Sequence, residues 1–453
     1  MKHNLGRVVE IDLTGGNITS SELTEETALS VIGGFGFNID YLYRHLQPKT
    51  DPFHPENILL ITLGLLTGTA APSSSRIHIN ALSPLSGLIG SSSVGGHLGK
   101  KLRSQNIFSV IIRGTSDTPV FLDIAESGIK LMDASRVWGL DTRDSEAAIR
   151  EIVSDQKAQL LSIGPAGENL VRYACIMAGI DHSAGHTGMG AVMGSKRLKA
   201  VCVRGGRCRM HANPETKAAV REYIESIRNS TSRFRDYSEL GSSGDIRELN
   251  EMGLLSSKNY RSMHLAEAEK IDGRNLRSRV VKSVTCPGCA VSCKAEVEVK
   301  GGKNKGFRGG RPEYETVIDL GSLCGLTDPD ALIYLSNLCN MMGVDTISTG
   351  SVIAFAMDLF DRGIISEKDT GGIPLSWGDA AAMERFIRQI AFREGFGTVL
   401  AEGVLRASGI IGGNAERYAY HVKGVELYGA DPRGMMGTAL SYAVSMRGGD
   451  FTS

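Results

Sequence analysis

Three cysteines stand close together in the run CPGCAVSC, residues 286–293. The spacing C-x2-C-x3-C lets one backbone turn point the thiols of Cys286, Cys289 and Cys293 at one centre, as a tetrahedral metal site or an iron–sulfur cube requires. The proline and glycine between the first two cysteines favour a tight turn. We interpret the run as the site of a cluster whose fourth ligand lies elsewhere. The alternatives are a zinc site, for which the neighbouring sequence offers no second C-x2-C and no histidine pair, and three buried structural cysteines.

Composition limits the classes of protein to which the chain can belong. The 453 residues carry 50 Lys and Arg against 50 Asp and Glu, so the formal net charge is zero. This balance argues against nucleic-acid binding and against a basic membrane surface. Eight cysteines in so long a chain do not make a disulfide scaffold, and their clustering predicts a reducing, cytoplasmic compartment. The start of the chain lacks the apolar segment of a signal peptide, and no apolar run is long enough to span a membrane.

The first part of the chain, from residue 6 to about 205, is predicted to be rich in β-strands. Residues 8–13 and 18–19 flank the turn sequence TGGN, a pattern typical of a hairpin. Further strands are expected at residues 58–63, 76–82, 108–113, 120–124, 159–163 and 199–204. Short helices are expected near residues 24–31, 96–102 and 145–153.

The remainder of the chain is predicted to be mainly helical. Asn-Pro at residues 213–214 suits a helix start, and the apolar face that follows consists of Val220, Tyr223, Ile224 and Ile227. Further helices are expected over residues 328–343, 351–362 and 379–394. Residues 301–310 are basic and glycine-rich and predict an exposed loop. Strands followed by helices predict an α+β fold.

Four glycine-rich stretches stand apart from ordinary turns. They are GLLTGTAAP at 64–72 with SSSR after it, SSSVGG at 91–96, AGHTGMGAVMGSK at 184–196, and GADPRG at 429–434. The second and third offer runs of unhindered backbone N–H groups, which can hold phosphates or other anions. Neither fits a nucleotide-binding loop pattern. For any one stretch, glycines that serve only the turn are the alternative.

These stretches, their order and the cysteine run resemble the aldehyde ferredoxin oxidoreductase family of tungsten-pterin enzymes. The resemblance extends from Gly6 to the last residues and is strongest in the motifs Gly68-Thr69 with Pro72 and Arg76, residues 185–199, PEYE at 312–315, GVDTISTG at 343–350, and DPRG at 431–434. It implies a β-rich N-terminal pterin-binding domain followed by mainly helical domains. The implied boundaries are 1–208, 209–415 for the helical domain with the cysteine run, and 416–453 for the start of a third, truncated helical domain.

The resemblance also implies cofactors, a reaction and partners. One tungsten, or molybdenum, is held by the dithiolene sulfurs of two pterins, Mg2+ bridges the pterin phosphates, and a [4Fe–4S] cluster lies beside one pterin. Aldehydes are oxidised to carboxylic acids, and ferredoxin or a similar electron carrier takes the electrons. The expected substrate is a small aldehyde or acyl compound, and a homodimer is compatible with the sequence.

Several residues match positions that hold the pterins in the family. Arg76 falls where an arginine meets a pterin phosphate, which suits a guanidinium group. Ser93 falls near the magnesium, where Asn is common, and Gly95 allows close approach of the backbone. A second phosphate stretch is matched by His182, Ser183, Gly185 and His186. The family usually has arginines at both histidine positions, so ordinary loop histidines and a zinc pair are the alternatives.

Further matches lie in the helical part. Asn340, Val344 and Asp345 fall on a D-x-x-G-L-D motif that meets the pterin ring edge, with Asn340 replacing the first Asp. Glu315 matches a glutamate that moves a proton near the metal, a role suited to a buried carboxyl with a raised pKa. A surface or capping glutamate is the alternative. Arg447 matches an arginine close to a pterin.

The sequence departs from the family pattern in two places. Phe451 takes the position of a histidine found in aldehyde-oxidising members, which favours a relative acting on another acyl substrate, such as an aromatic acyl-thioester reductase. The chain also stops at Ser453, before the D-x-x-G-L-C motif that supplies the fourth cluster cysteine. We therefore expect a C-terminally truncated member, and a non-catalytic scaffold is a further alternative. Cysteines expected to be structural are Cys175, Cys202, Cys208 and Cys339.

Overall fold

The computed structural model describes residues 5–206, 213–230 and 232–451. The chain forms two compact units. The first consists of Met1–Leu170, Ala174–Phe234 and Thr285–Val291, and the second of Val171–Tyr173, Arg235–Val284 and Ser292–Ser453. Cys286 and Cys289 therefore belong to the first unit and Cys293 to the second. Cys208, expected to be structural, lies outside the described residues.

The first unit contains two six-stranded sheets. One has the order β2-β1-β6-β3-β4-β5 and is built from β1 (Arg7–Asp12), β2 (Asn17–Glu22), β3 (Leu59–Leu63), β4 (Ile77–Leu82), β5 (Ile89–Val94) and β6 (Ile107–Arg113). The other has the order β11-β10-β9-β12-β7-β8 and is built from β7 (Val120–Ala125), β8 (Gly128–Asp133), β9 (Gln159–Ser162), β10 (Ile176–Ala178), β11 (His182–Ala184) and β12 (Leu198–Val203). The predicted hairpin is confirmed, since β1 and β2 pair antiparallel.

Helices cover these sheets and connect their strands. They are α1 (Glu25–Val31), α2 (Gly34–His45), α3 (Leu98–Ser104), α4 (Thr142–Ile152), α5 (Pro165–Glu168), α6 (Met189–Ser195) and α7 (Pro214–Asn229), and α8 (Ser232–Leu240) begins in this unit. Every residue of β3 is buried, as expected for a strand packed on both faces. Cys175 and Cys202 are also buried, in agreement with a structural role.

The glycine-rich stretches of this unit contain regular structure. Residues 91–94 of the second stretch belong to strand β5, so only Gly95 and Gly96 leave the sheet. Part of the third glycine-rich stretch is the helix α6. The apolar face predicted on α7 is present in sequence, but no residue of that helix is buried.

The second unit is mainly helical. Its helices are α9 (Ile246–Glu251), α10 (Gly273–Arg277), α11 (Tyr314–Thr316), α12 (Pro329–Met342), α13 (Thr346–Asp361), α14 (Ala380–Phe392), α15 (Gly397–Leu400), α16 (Val404–Ile411) and α17 (Met436–Val444). A π-helix occupies Val317–Ser322, and short 3₁₀ helices occupy Ser242–Asp245, Ala268–Lys270 and Ala415–Tyr418. Small sheets consist of β13 (Val280–Val284), β14 (Lys294–Glu298) and β15 (Arg308–Gly310), and of β16 (His421–Val422) and β17 (Val425–Glu426).

The sequence signals at the helix ends explain where the central helices lie. The Asp328 carboxylate accepts from the N–H groups of Asp330 and Ala331 and starts α12, and Gly343 ends it with φ of 70°. Helix α13 begins earlier than predicted because Asp345 caps it by accepting from Ser348 N–H. The predicted loop at 301–310 ends early, because β15 pairs with β14.

The strand-rich first unit and the helical second unit confirm the predicted α+β class. Within the described ranges, no helix is both long enough and apolar enough to cross a membrane.

Candidate cofactor site

The end of β5 brings two predicted residues of the first unit together. The Arg76 guanidinium donates from Nη1 to the carbonyl oxygen of Ser93 at 3.3 Å and to its Oγ at 3.4 Å. Ser93 is partly buried on β5, directly opposite His78 of β4, whereas Arg76 is exposed. An exposed guanidinium anchored at the edge of a sheet can receive an anionic group such as a phosphate.

The third glycine-rich stretch is tied to the same strand. Ser92 Oγ donates to the carbonyl oxygens of Gly185 at 2.8 Å and His186 at 2.9 Å. His186, Thr187 and Gly188 all have positive φ, so the chain turns sharply before α6. The structure thus places Gly185 and His186 beside β5, while Ser183 is exposed on β11.

The glycines inside α6 serve packing. A Cβ atom at Gly190 would lie 2.3 Å from the carbonyl oxygen of Cys175, and one at Gly194 would lie 1.9 Å from that of Gly167. Helix α6 therefore approaches its neighbours at distances that only glycine allows. These two glycines thus serve the packing of a helix rather than a turn.

Cys286 lies in a close polar environment within the first unit. Its Sγ is 3.2 Å from Nε2 of His182 and accepts from the backbone N–H of Gly96 at 3.4 Å. A Cβ atom at Gly95 would lie 3.3 Å from the same sulfur, so the glycine keeps this approach open. Burial raises the pKa of the Cys286 thiol, but the bonds from His182 and Gly96 outweigh it and lower the pKa to about 7.

The turn that carries Cys289 is held against the first glycine-rich stretch. Ser73 N–H donates to the carbonyl oxygen of Gly288 at 3.0 Å. Cys289 Sγ accepts from Val291 N–H at 3.4 Å and is 3.9 Å from Ser73 Oγ. Thiols surrounded by N–H donors and unhindered glycines fit an iron–sulfur cluster, whose sulfur ligands accept such bonds.

Glu315 lies at the centre of a buried acidic cluster in the second unit. Its Oε2 accepts from Gly429 N–H at 2.7 Å, whereas its buried Oε1 has no hydrogen-bond partner among the described residues. Burial raises the pKa of Glu315 to about 8; the Gly429 bond opposes the rise and the charge of Asp345 adds to it. The carboxyl is thus positioned to exchange a proton near neutral pH.

Asp319 was not predicted, although it belongs to the same cluster. It lies four residues after Glu315 on the π-helix and is fully buried. Its Oδ1 accepts from Ser351 Oγ at 3.1 Å, and its Oδ2 has no partner among the described residues. Burial and then the charge of Glu315 raise the pKa of Asp319 well above its usual range. The available signal was one acid within an apolar helical run, and π-helices often mark functional positions.

The remaining predicted residues of the second unit lie at helix ends. Asn340 is in the last turn of α12, and the buried Val344 follows its glycine stop. Asp345 Oδ2 accepts from Ser348 N–H at 2.9 Å, so this carboxylate also caps α13. Ser348 Oγ in turn donates to Glu426 Oε2 at 2.9 Å.

The last described segment places Arg447 in a buried position and leaves Phe451 exposed. Arg447 forms an ion pair with the fully buried Asp450. The Phe451 ring packs edge-on against Tyr428 with 5.1 Å between centroids. The position expected to hold a histidine in aldehyde-oxidising enzymes therefore contributes an aromatic face.

Within the described ranges, no group of three or more His, Cys, Asp or Glu side chains is arranged to hold a single metal ion. One unit has instead the turn with Cys286 and Cys289, whose thiols accept from backbone N–H groups. The other has the carboxyls of Glu315 and Asp319, whose pKa values burial raises. Cysteine turns with N–H donors and buried acids with raised pKa values are features typical of redox enzymes.

Comparison with known proteins identifies the family. Residues 8–205 match the family described as aldehyde ferredoxin oxidoreductase, N-terminal domain, and residues 218–453 match aldehyde ferredoxin oxidoreductase, domains 2 and 3. The chain belongs to the aldehyde ferredoxin oxidoreductase family, and it is an oxidoreductase of this tungsten-enzyme family.

Individual relatives cover nearly the whole chain. The tungsten-containing aldehyde ferredoxin oxidoreductases of Pyrococcus abyssi and Pyrococcus furiosus are each 36% identical, over 98% and 99% of this chain and 73% and 74% of their own. A P. furiosus aliphatic sulfonate oxidoreductase, WOR-like subunit, is 32% identical over 99% of this chain and 75% of its own. The solved active-site complex BamBC of benzoyl coenzyme A reductase with 1,5 dienoyl-CoA has a TM-score of 0.84 at 26% identity, covering 98% of this chain and 69% of that chain.

Proposed function

We propose that the protein oxidises aldehydes to carboxylic acids and passes the electrons to ferredoxin or a similar carrier in the cytoplasm. The observation that carries the proposal is the buried Glu315 carboxyl in a chain that matches tungsten-containing aldehyde oxidoreductases over nearly all its length. The reaction converts an aldehyde and water into a carboxylic acid, two protons and two electrons.

The proposed cofactors are a tungsten or molybdenum centre with two pterins, Mg2+ between the pterin phosphates, and a [4Fe–4S] cluster. Cys286, Cys289 and Cys293 would hold the cluster. The first unit would meet the pterins through Arg76, Ser93, Gly95, His182, Ser183, Gly185 and His186. The second unit would meet them through Asn340, Val344, Asp345 and Arg447. When bound, these groups would accept two electrons from the substrate and release them singly.

In this proposal, Glu315 takes up the proton that is released as the carbonyl carbon gains oxygen. The Gly429 N–H holds Oε2, which leaves Oε1 as the atom that receives the proton. The apolar side chain of Ile318 packs against Gly429 so closely that a Cβ there would lie 2.4 Å from it. This contact fixes the segment that supplies the N–H, and hence the orientation of the carboxyl.

The test is purification of the chain without oxygen, followed by metal analysis and an assay of aldehyde-dependent dye reduction. We expect tungsten or molybdenum, iron, and activity that falls about 100-fold or more in E315Q, because a proton-transfer group typically contributes this much. The exposed acid Glu367 provides the matched control E367Q, which should retain activity. Protein that contains neither tungsten nor molybdenum would overturn the proposal.

A second candidate is reduction of an aromatic acyl-CoA thioester, or the reverse oxidation of its dienoyl product. Two observations favour it: Phe451 replaces the histidine of aldehyde-oxidising members, and the fold resembles a benzoyl coenzyme A reductase complex. The reverse reaction, oxidation of 1,5-dienoyl-CoA with a dye as electron acceptor, is the convenient assay. Activity with dienoyl-CoA but with none of a series of aldehydes would select this candidate.

A further inference from the structure

The geometry around Cys286 points to a role for His182 that differs from phosphate binding. His182 is buried on β11, with its Nε2 3.2 Å from Cys286 Sγ. Its Nδ1 is 2.8 Å from Oδ1 of Asp181, the residue before it. The ring therefore lies between a carboxylate on one side and a sulfur on the other.

We propose that His182, oriented by Asp181, donates a hydrogen bond to the sulfur of Cys286 and thereby sets the reduction potential of the bound cluster. The inference rests on the proposed function, in which Cys286 is a cluster ligand. His182 acts as a positioning residue: it touches the ligand sulfur, and Asp181 determines which way its ring faces.

The chemistry of the three groups assigns the direction of the bond. A carboxylate can only accept, so Nδ1 donates to Asp181. A sulfur bound to iron also accepts, so a hydrogen on Nε2 is favoured there. With both nitrogens donating, the ring is an imidazolium whose charge the neighbouring Asp181 carboxylate balances. Gly96 N–H already donates to the same sulfur at 3.4 Å, and His182 adds a second donor. Donors to cluster sulfurs stabilise the more negative, reduced form and raise the potential.

Close packing keeps this arrangement in place. A Cβ atom at Gly96, whose φ is 84°, would lie 3.6 Å from the His182 ring, and one at Gly95 would lie 3.5 Å from it. The His182 ring thus packs against Gly95 and Gly96, which follow β5. Arginine, which the resemblance leads us to expect at this position, would be longer and permanently charged, so the histidine gives this chain its own cluster environment.

The experiment is a redox titration of the cluster, followed by electron paramagnetic resonance, in the wild type and in H182F, H182Q and D181N. Loss of the bond from His182 in H182F should shift the one-electron equilibrium about tenfold towards the oxidised cluster, a change of about 59 mV. Gln retains an N–H at a similar distance, so H182Q should show a smaller shift. The exposed His54 gives the control H54F, which should not shift.

Iron analysis separates the possible failures. Wild-type protein without iron would refute the cluster itself, and with it the proposed function. A wild-type cluster whose potential is unchanged in H182F would refute only the role of His182. If H182F loses its iron, the cluster potential of D181N is the deciding measurement. A potential below that of the wild type supports the inference, and a potential equal to that of the wild type overturns it.

Discussion

The substitution of Glu315 by Gln tests the electrostatics of the acidic cluster directly. The pKa of Glu315 is raised from 4.5 to about 8 in the folded protein. Each pKa unit corresponds to 1.36 kcal/mol, so folding favours the protonated carboxyl by up to about 5 kcal/mol. This stabilisation is fully present below about pH 4.5 and is lost as the pH rises through about 8, because the folded state binds the extra proton. Gln is neutral at every pH and can still accept from Gly429 N–H.

We therefore expect E315Q and the wild type to be similarly stable near pH 4.5 and to diverge with rising pH. Above about pH 8, E315Q should be more stable by as much as about 5 kcal/mol. The assay is urea denaturation of both proteins at intervals from pH 5 to pH 9. Parallel stability curves for the two proteins across this range would refute the assignment of a raised pKa to Glu315.

Glu313 supplies a control of opposite sign. Burial tends to raise the pKa of Glu313, but Lys294, with its Nζ 2.6 Å away, and Ser242 outweigh burial and lower the pKa. A lowered folded-state pKa gives stability that is present above the unfolded pKa and is lost as the pH falls. E313Q should therefore lose stability relative to the wild type at neutral pH, whereas E315Q should gain it.

Three further predictions follow from single contacts. D319N keeps the bond from Ser351. Burial holds the pKa of Asp319 well above its usual range, so Asp319 is neutral while Glu315 titrates, and the midpoint of the acid limb assigned to Glu315 in the pH–rate profile should stay in place; a midpoint that falls would show that Asp319 is charged beside Glu315. G194A places a methyl group 1.9 Å from the Gly167 oxygen and should lower the free energy of unfolding by about 3 kcal/mol, measured by thermal unfolding. The control G409A lies in helix α16 with open space around it and should be neutral or slightly stabilising. Equal effects of the two substitutions would show that α6 can shift. F451H should raise aldehyde oxidation about tenfold or more if a missing acid/base group limits the reaction, with F451L as the control; no gain would favour the acyl-thioester candidate.

Local signals in the sequence predicted most of the fold. Apolar runs located the strands β3, β6 and β12, and the caps Asp328 and Gly343 fixed the limits of α12. The errors arose where tertiary packing decides. Ser91, Ser92 and Ser93 resemble a loop in composition, yet they pair with β4, because the neighbouring strand satisfies their backbone groups. Glycines inside α6 disfavour a helix locally, but close contact with α5 requires them.

The candidate site was predictable where a residue type carries the chemistry. Cysteine spacing predicted the turn with Cys286 and Cys289, and a sequence motif singled out Glu315, whose Oε1 is buried in the structure. Asp319 escaped notice because its partner Ser351 is distant in sequence and its burial depends on α13. The contact of His182 with Cys286 joins residues 104 positions apart, a relation that no local pattern contains.

In the proposed function, each unit would contribute a different kind of group to the oxidation. The part of the first unit around Cys286 and Cys289 gathers thiols and N–H donors, which stabilise added negative charge on sulfur. The cluster of Glu315 and Asp319 in the second unit gathers carboxyls that burial keeps protonated near neutral pH, which suits the transfer of protons. An oxidation that releases two electrons and two protons needs both kinds of group. Substitutions in the two sets should therefore have separate effects: changes at His182 should alter a potential and leave the pH profile in place, and changes at Glu315 should do the reverse.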